Sequence, residues 1–376
     1  SKDGIVYQIF PDRFARDENW RERCEEALVN RSHRKGQKKT IEEDWYRPAY
    51  YEKDEEGNVV SWPFYGGSLK GIQDRLDYLT SLGVSAIYIN PVFEAASNHR
   101  YDTADYMNID PMLGSEEDFR ELAEAAKAKG ISIILDGVFS HTGADSIYFD
   151  RYGNYGGRGA YGNPDSEYRS WFEFREDDPV GYRSWWGIRD LPEVNETEPG
   201  FRELICGEEG VLAKWLRAGA RGFRLDVADE LPDSFIAEIR QRLKKEDADN
   251  LLMGEVWEDA SNKISYGQRR KYFMGDELDS TMNYPLRDLL IDFAHYRKSA
   301  SEVAGSLMSL MENYPRENFY GALNLIGSHD RRRIITELGA DFNYDEAVEK
   351  VKLLSLLQYT LPGVPCISYG GEAAMT

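Results

Sequence analysis

The chain has 376 residues, enough for one large barrel with an insertion and for a core that needs no disulfide staples. With 46 Lys and Arg against 67 Asp and Glu, its net charge of −21 repels phosphate backbones and anionic lipid, which argues against nucleic acid or a membrane surface as a partner and leaves a neutral ligand easier to accommodate. Hydrophobic residues at 41% and charged residues at 30% are those of a globular protein, and Cys24, Cys206 and Cys366 show neither metal spacing nor a disulfide framework.

Short apolar runs alternate with amphipathic helical patterns. Residues 4–10 (GIVYQIF) read as a strand, followed by a long charged loop, roughly Arg16 to Pro63, that reads as a surface excursion. Residues 68–83 place Leu69, Ile72, Leu76, Leu79 and Leu82 at helical spacing and stop on Gly83; 84–90 are again a strand. Residues 115–130 open with Ser and acidic residues and close on Gly130, a well-signalled helix before the strand 131–139. About sixty aromatic and Gly-rich residues follow, from Ser140 to Gly200. The alternation then resumes. Residues 201–219 are helical, 220–228 a strand, 232–247 helical and 250–257 a strand. Residues 276–284 form a sixth strand candidate, 286–297 begin a helix, 319–330 are a strand, 344–363 a helix and 364–371 the last strand.

Eight strands separated by helices require parallel pairing, and so an α/β fold closed as a (β/α)8 barrel; an open doubly wound sheet would call for an early GxGxxG loop, which is absent. A helix after the last strand is not in the sequence. No apolar run reaches eighteen residues and no leader is visible, which reads as a cytoplasmic protein with export as the alternative.

In such a barrel the chemistry sits at the C-terminal ends of the strands. There the sequence puts Asp136 and His141 after the third strand, Arg224 and Asp226 at the fourth, Glu255 and Trp257 at the fifth, His329 and Asp330 at the seventh, and His99, Tyr101 and Asp102 after the second. Arg224 and Asp226 are two apart and share one strand face, so the guanidinium should depress the Asp226 pKa and keep it ionised. Glu255 becomes the proton donor if apolar neighbours such as Trp257 raise its pKa. Two carboxyl groups of opposed pKa flanking one bond are the arrangement for glycoside hydrolysis. Taken singly, each residue reads as well as a cap or a local ion pair, and Asp136 as mainly structural; the joint pattern carries the reading. A His–carboxylate metal site has no supporting spacing, so no metal ligand is assigned.

These residues resemble the α-amylase superfamily, glycoside hydrolase family 13. DGVFSH, GFRLDVADE, GEVW and GSHD look like its four ordered signatures, and LPEVNETEP, MNYP and GVPCISYGGE like accessory ones. VADE and MNYP are closest to the neopullulanase, cyclomaltodextrinase and amylopullulanase branch. The resemblance implies a catalytic barrel over residues 1–138 and 200–376 with an inserted B subdomain over 139–199. It implies a retaining α-glucan hydrolase acting on α-1,4 bonds, with α-1,6 bonds left open, on maltodextrins, starch, pullulan or cyclodextrins. Asp226 would be the nucleophile, Glu255 the acid/base and Asp330 the third catalytic carboxylate. Arg224 would support Asp226, His141 and His329 would bind sugar hydroxyls, Tyr101 would stack under the ring, Trp257 would contact the next sugar, and Asp102 would join the substrate-binding set. No cofactor is required. Ser140 stands where many members have a calcium-ligating Asn, and RFARDENW replaces a calcium loop, which puts a structural calcium in doubt. Oligomerisation would run through domains outside this chain. A transglycosylase or branching-type transferase meets the same intermediate, and an inactive sugar-binding member is the third reading.

Overall fold

The computed structural model describes residues 4–376. Eight parallel strands form the barrel: β1 (Ile5–Ile9), β2 (Val84–Ile89), β3 (Ser132–Gly137), β4 (Gly222–Leu225), β5 (Leu251–Gly254), β6 (Ser280–Thr281), β7 (Leu323–Leu325) and β8 (Val364–Ser368). Each pairs with its sequence neighbour, and β8 returns to β1. The seam between β6 and β7 is short. One parallel bridge, Met282 to Leu323, and the Asn283 N–H on the Leu323 carbonyl (2.9 Å) close it. The expected (β/α)8 barrel is therefore present.

The helices form where capping and periodicity agree. Glu116–Ala128 starts at a capping box between Ser115 and Asp118 and buries Phe119, Leu122, Ala123 and Ala126, one stripe at helical spacing. Ser299 makes the same box with Glu302 on a later helix, and Asn283 and Asn343 cap two more by accepting one backbone N–H each.

The structure corrects several boundaries. The helix read over 68–83 is two, Leu69–Asp74 and Leu76–Ser81, broken at Arg75, whose φ of −103° and ψ of 5° are not helical. The helix read over 201–219 is also two, Pro199–Cys206 and Val211–Arg217, split at Gly207. The strand read over 319–330 contracts to β7, because helix Arg316–Gly321 takes its first residues. The charged segment from Arg16 to Pro63 is more than an excursion. It holds helix Trp20–Asn30 and a three-stranded sheet of Lys38–Ile41, Glu52–Lys53 and Val59–Phe64. Ion pairs bind it to the segment after β2, Lys39 to Asp110 at 3.4 Å and Arg31 to Glu94 at 3.0 Å, and within that segment the buried Arg100 holds Asp110 at 2.9 Å.

Between β3 and helix Pro199–Cys206 the chain forms only 3-10 turns and isolated bridges. Its aromatics mostly pack on one another. Phe149 sits against Phe172, Phe174 and Tyr182, and Trp171 against Phe201 of the barrel wall. Most of the aromatic signal in this segment is therefore its own core, while Trp185 and Trp186, with His141, reach the cleft described below. No helix among the described residues is long and apolar enough to cross a membrane.

Candidate active site

The strand ends deliver their polar residues to one point. Arg224, fully buried near the end of β4, holds Asp136 Oδ1 at 2.8 Å and Asp226 Oδ1 at 2.9 Å through Nη1. Its Nη2 lies 3.0 Å from Glu255 Oε2, a charge contact without hydrogen-bond geometry. One planar guanidinium thus joins carboxylates from β3, β4 and β5, which a point charge such as Lys could not do.

Asp136, read from the sequence as mainly structural, is the hub. Its Oδ2 accepts from the Tyr88 hydroxyl at 2.6 Å and the Tyr101 hydroxyl at 2.7 Å. Tyr101 also meets His329 Nε2 at 2.6 Å, and His329 Nδ1 meets Gln8 Nε2 at 2.7 Å. Gln8 and Asn90, joined at 3.2 Å, extend the network across β1 and β2. Sequence reasoning missed Gln8, Tyr88 and Asn90. The available signal was a polar or hydroxylated residue in an otherwise apolar strand.

Glu255 is gripped by its neighbours. The Val227 N–H donates to Oε2 at 2.8 Å and the Trp257 indole N–H to Oε1 at 2.9 Å. Trp257 therefore meets Glu255 through its indole N–H and not through an apolar face alone. Trp257 is itself stacked on Tyr284, centroids 3.9 Å apart, with the Arg331 guanidinium 4.5 Å from its ring centre.

The electrostatic expectation for Asp226 is also corrected. Burial pushes its carboxyl well above the ordinary carboxylate range; Arg224 opposes this, while Glu255, Asp136 and Asp330 add to it. Four carboxyl groups share one guanidinium here, and the crowding of negative charge adds to what burial does to Asp226. Burial also raises Asp330, whose Oδ2 lies 3.5 Å from the Tyr284 hydroxyl. His99, His141 and His329 are each pushed down to about 4, chiefly by burial, so they act as neutral hydrogen-bonding rings. The 3.3 Å contact of His329 with Asp330 is accordingly not an ion pair at neutral pH.

A cleft of about 890 Å³ opens over these groups, walled by Tyr101, His141, Trp185, Trp257, His329 and Asp330 among others. His141 Nε2 lies 3.0 Å from the Tyr101 carbonyl and its ring faces Trp185 at 5.6 Å. Asp102 is the outlier. It accepts from the Ala96 and Ser97 backbone N–H groups at 3.2 and 3.1 Å and from the Ser97 hydroxyl, so it ties a loop and borders a neighbouring cavity instead.

The residue after Asp226 is strained. Val227 has φ 41° and ψ 55°, the left-handed region that a β-branched side chain avoids. This conformation aims its N–H at Glu255 and links the ends of β4 and β5. Val227→Gly relieves the strain, which costs about 1–3 kcal/mol, but loosens the link. The expected result is an unfolding midpoint no lower than the parent's with kcat reduced about tenfold. A lowered midpoint with unchanged kcat would contradict this role.

The two calcium positions suggested by the resemblance do not fit the ion. The Ser140 hydroxyl pairs with His141 Nδ1 at 2.9 Å. After β1, Asp17 is taken by Arg23 at 2.5 Å and Ser68 at 2.6 Å, and Asp12 by the Tyr65 N–H at 3.0 Å. Arg16 donates to the carbonyls of Glu42 and Tyr65 at 2.7 and 2.6 Å. Guanidinium groups provide the cross-links here, and a calcium ion would need six or more free oxygens. Among the described residues, no group of three or more His, Cys, Asp or Glu is arranged to hold a metal.

Fold and site together define a barrel whose strand ends carry a carboxylate cluster in an aromatic cleft. The alpha-amylase catalytic-domain model matches residues 8–376, and the chain belongs to that family. It is 37% identical over 428 residues to an amylopullulanase of Thermoanaerobacter thermohydrosulfuricus, covering 100% of this chain and 28% of that protein. It is 36% identical over 382 residues to a cyclomaltodextrinase of Geobacillus thermopakistaniensis, covering 100% of this chain and 56% of that one. Among solved structures, a cyclic alpha-maltosyl-(1→6)-maltose hydrolase from Arthrobacter globiformis superposes with a TM-score of 0.79 at 31% identity, covering 100% of this chain and 75% of that one. The chain spans about a quarter to just over half of the two curated relatives' own lengths.

Proposed function

We propose that this chain is the catalytic part of a retaining α-glucan hydrolase that cleaves α-1,4 bonds, with α-1,6 bonds as a second target, through a glucosyl–Asp226 intermediate. The observation that carries the reading is the single guanidinium of Arg224 joining Asp136, Asp226 and Glu255 at the floor of the cleft. It sets two carboxyl groups from adjacent strands beside each other, as a double displacement at one carbon requires. The relatives' names, amylopullulanase and cyclomaltodextrinase, support an α-glucan substrate.

In this reading Glu255 carries the proton to be donated when the glycosidic oxygen is in place, and Asp226 attacks as the carboxylate. Glu255 then protonates the leaving oxygen while Asp226 Oδ bonds to the anomeric carbon. The same Glu255 next takes a proton from water, which displaces Asp226 and restores both groups. Asp330 binds hydroxyls of the ring that distorts, neutral His141 and His329 each give up a hydrogen bond within the protein for one to a sugar hydroxyl, and Tyr101 offers its ring as a platform. Trp257 contacts the next sugar at the edge that its stack leaves open. Residues 139–199 serve as the B subdomain, forming one wall of the cleft on the frame of 1–138 and 200–376. No step uses a metal or cofactor.

Release of reducing sugar from pullulan, starch and cyclodextrin tests the substrate class. Proton NMR of the first product tests the stereochemistry: the α anomer is expected before mutarotation. The β anomer would reject retention, and no release from any of the three would reject the activity.

A further inference from the structure

Two surface turns, one lining the cleft at Trp186 and one bonded to the cleft residue Glu230, share an unusual construction. Ile188 N–H bonds the Trp185 carbonyl at 2.9 Å, with Trp186 at φ 52° and Gly187 at φ 74° between them. Strand pairs Ile264–Ser265 and Gln268–Arg269 are likewise joined by two residues, Tyr266 at φ 50° and Gly267 at φ 76°. Both are left-handed two-residue turns, whose first position favours Asn, Asp or Gly. Each carries a large aromatic there instead, and each aromatic faces solvent, Trp186 80% exposed and Tyr266 74%. A turn needed only for folding would place neither ring there. Strain and exposed apolar area together point to contact with something outside the chain.

The two tips are connected to the catalytic cleft. Trp186 and Glu230 both line it, and Glu230 accepts from the Tyr266 hydroxyl. From the other side a row of rings runs outward, His141 to Trp185 at 5.6 Å and Trp185 to Trp186 at 5.8 Å. We propose that Trp186 and Tyr266 form a paired aromatic clamp for a glucan chain that extends beyond the sugars held at the carboxylates, so that the chain selects long substrates over short ones. Flat aromatic faces suit the C–H faces of pyranose rings, and the charge of −21 does not oppose a neutral polymer. The inference rests on the α-glucan reading of the site.

Asn adopts the left-handed conformation readily, so Trp186→Asn and Tyr266→Asn keep the turns and remove the rings. The measurement is the ratio of kcat/KM for maltoheptaose to kcat/KM for maltotriose, together with the thermal midpoint. Each variant should lower the ratio about tenfold, the size of one good aromatic contact, with a midpoint equal to or above the parent's. A ratio equal to the parent's, whether both rates hold or both fall together, would overturn the clamp. A parent that hydrolyses neither substrate would overturn the α-glucan reading itself, and this shows before any variant is made.

Discussion

Asp226→Asn is expected to lower α-glucan turnover by about 10⁴-fold or more, because an amide can keep the bond from Arg224 but cannot form and release an ester to the sugar. The same change removes a buried carboxyl that Glu255, Asp136 and Asp330 already crowd, so the variant should unfold no earlier than the parent. Glu255→Gln should lose comparable activity on natural glucans for a different reason: the leaving oxygen has no proton donor. An aryl glucoside whose phenolate leaves without protonation separates the two. Glu255→Gln should form the glycosyl-enzyme from it at a substantial rate, seen as a burst of phenolate, and Asp226→Asn should not. Equal residual rates on both substrates in both variants would contradict the division of roles.

The second large effect concerns Arg224. Its side chain is completely buried and each carboxylate it touches is nearly so. Removing one partner of such a cluster leaves uncompensated charge in a low-dielectric site, a cost of about 3–5 kcal/mol. Arg224→Met should therefore lower the unfolding free energy from urea titration by an amount of that order and abolish activity. Arg224→Lys keeps a positive charge but cannot contact Asp136, Asp226 and Glu255 from separate nitrogens in one plane. It should recover part of the stability while kcat stays at least about a hundredfold down. Full stability in Arg224→Met would mean that the cluster is held by something other than the guanidinium.

The framework of this site was legible because strands repeat every two residues and barrel chemistry gathers at strand ends. Arg224 and Asp226 on one face, Glu255 on the next strand and Asp330 beyond β7 follow from those two facts. Boundaries were less legible where elements are short. β6 has two residues and β7 three, too few for a period, and the apolar start of 319–330 suited a helix as well as a strand. The inner network of Gln8, Tyr88 and Asn90 was not legible, since its partners come from strands far apart in sequence. The direction of the Asp226 shift was misread because a sequence shows the arginine two residues away but not the depth of burial or the number of other carboxylates. Asp102 was misassigned by proximity to Tyr101; a loop that turns back on Ser97 consumes its oxygens.

The central claim is that Asp226 bonds covalently to the sugar with Glu255 beside it. Incubation with 5-fluoro-α-glucosyl fluoride, digestion and mass spectrometry tests it most directly. A fluoroglucosyl adduct on the peptide containing GFRLDVADE, fragmenting to Asp226, is the result the structure predicts. An adduct on Glu255 or Asp330, or an unlabelled enzyme that turns over α-glucans to the β anomer, would contradict it.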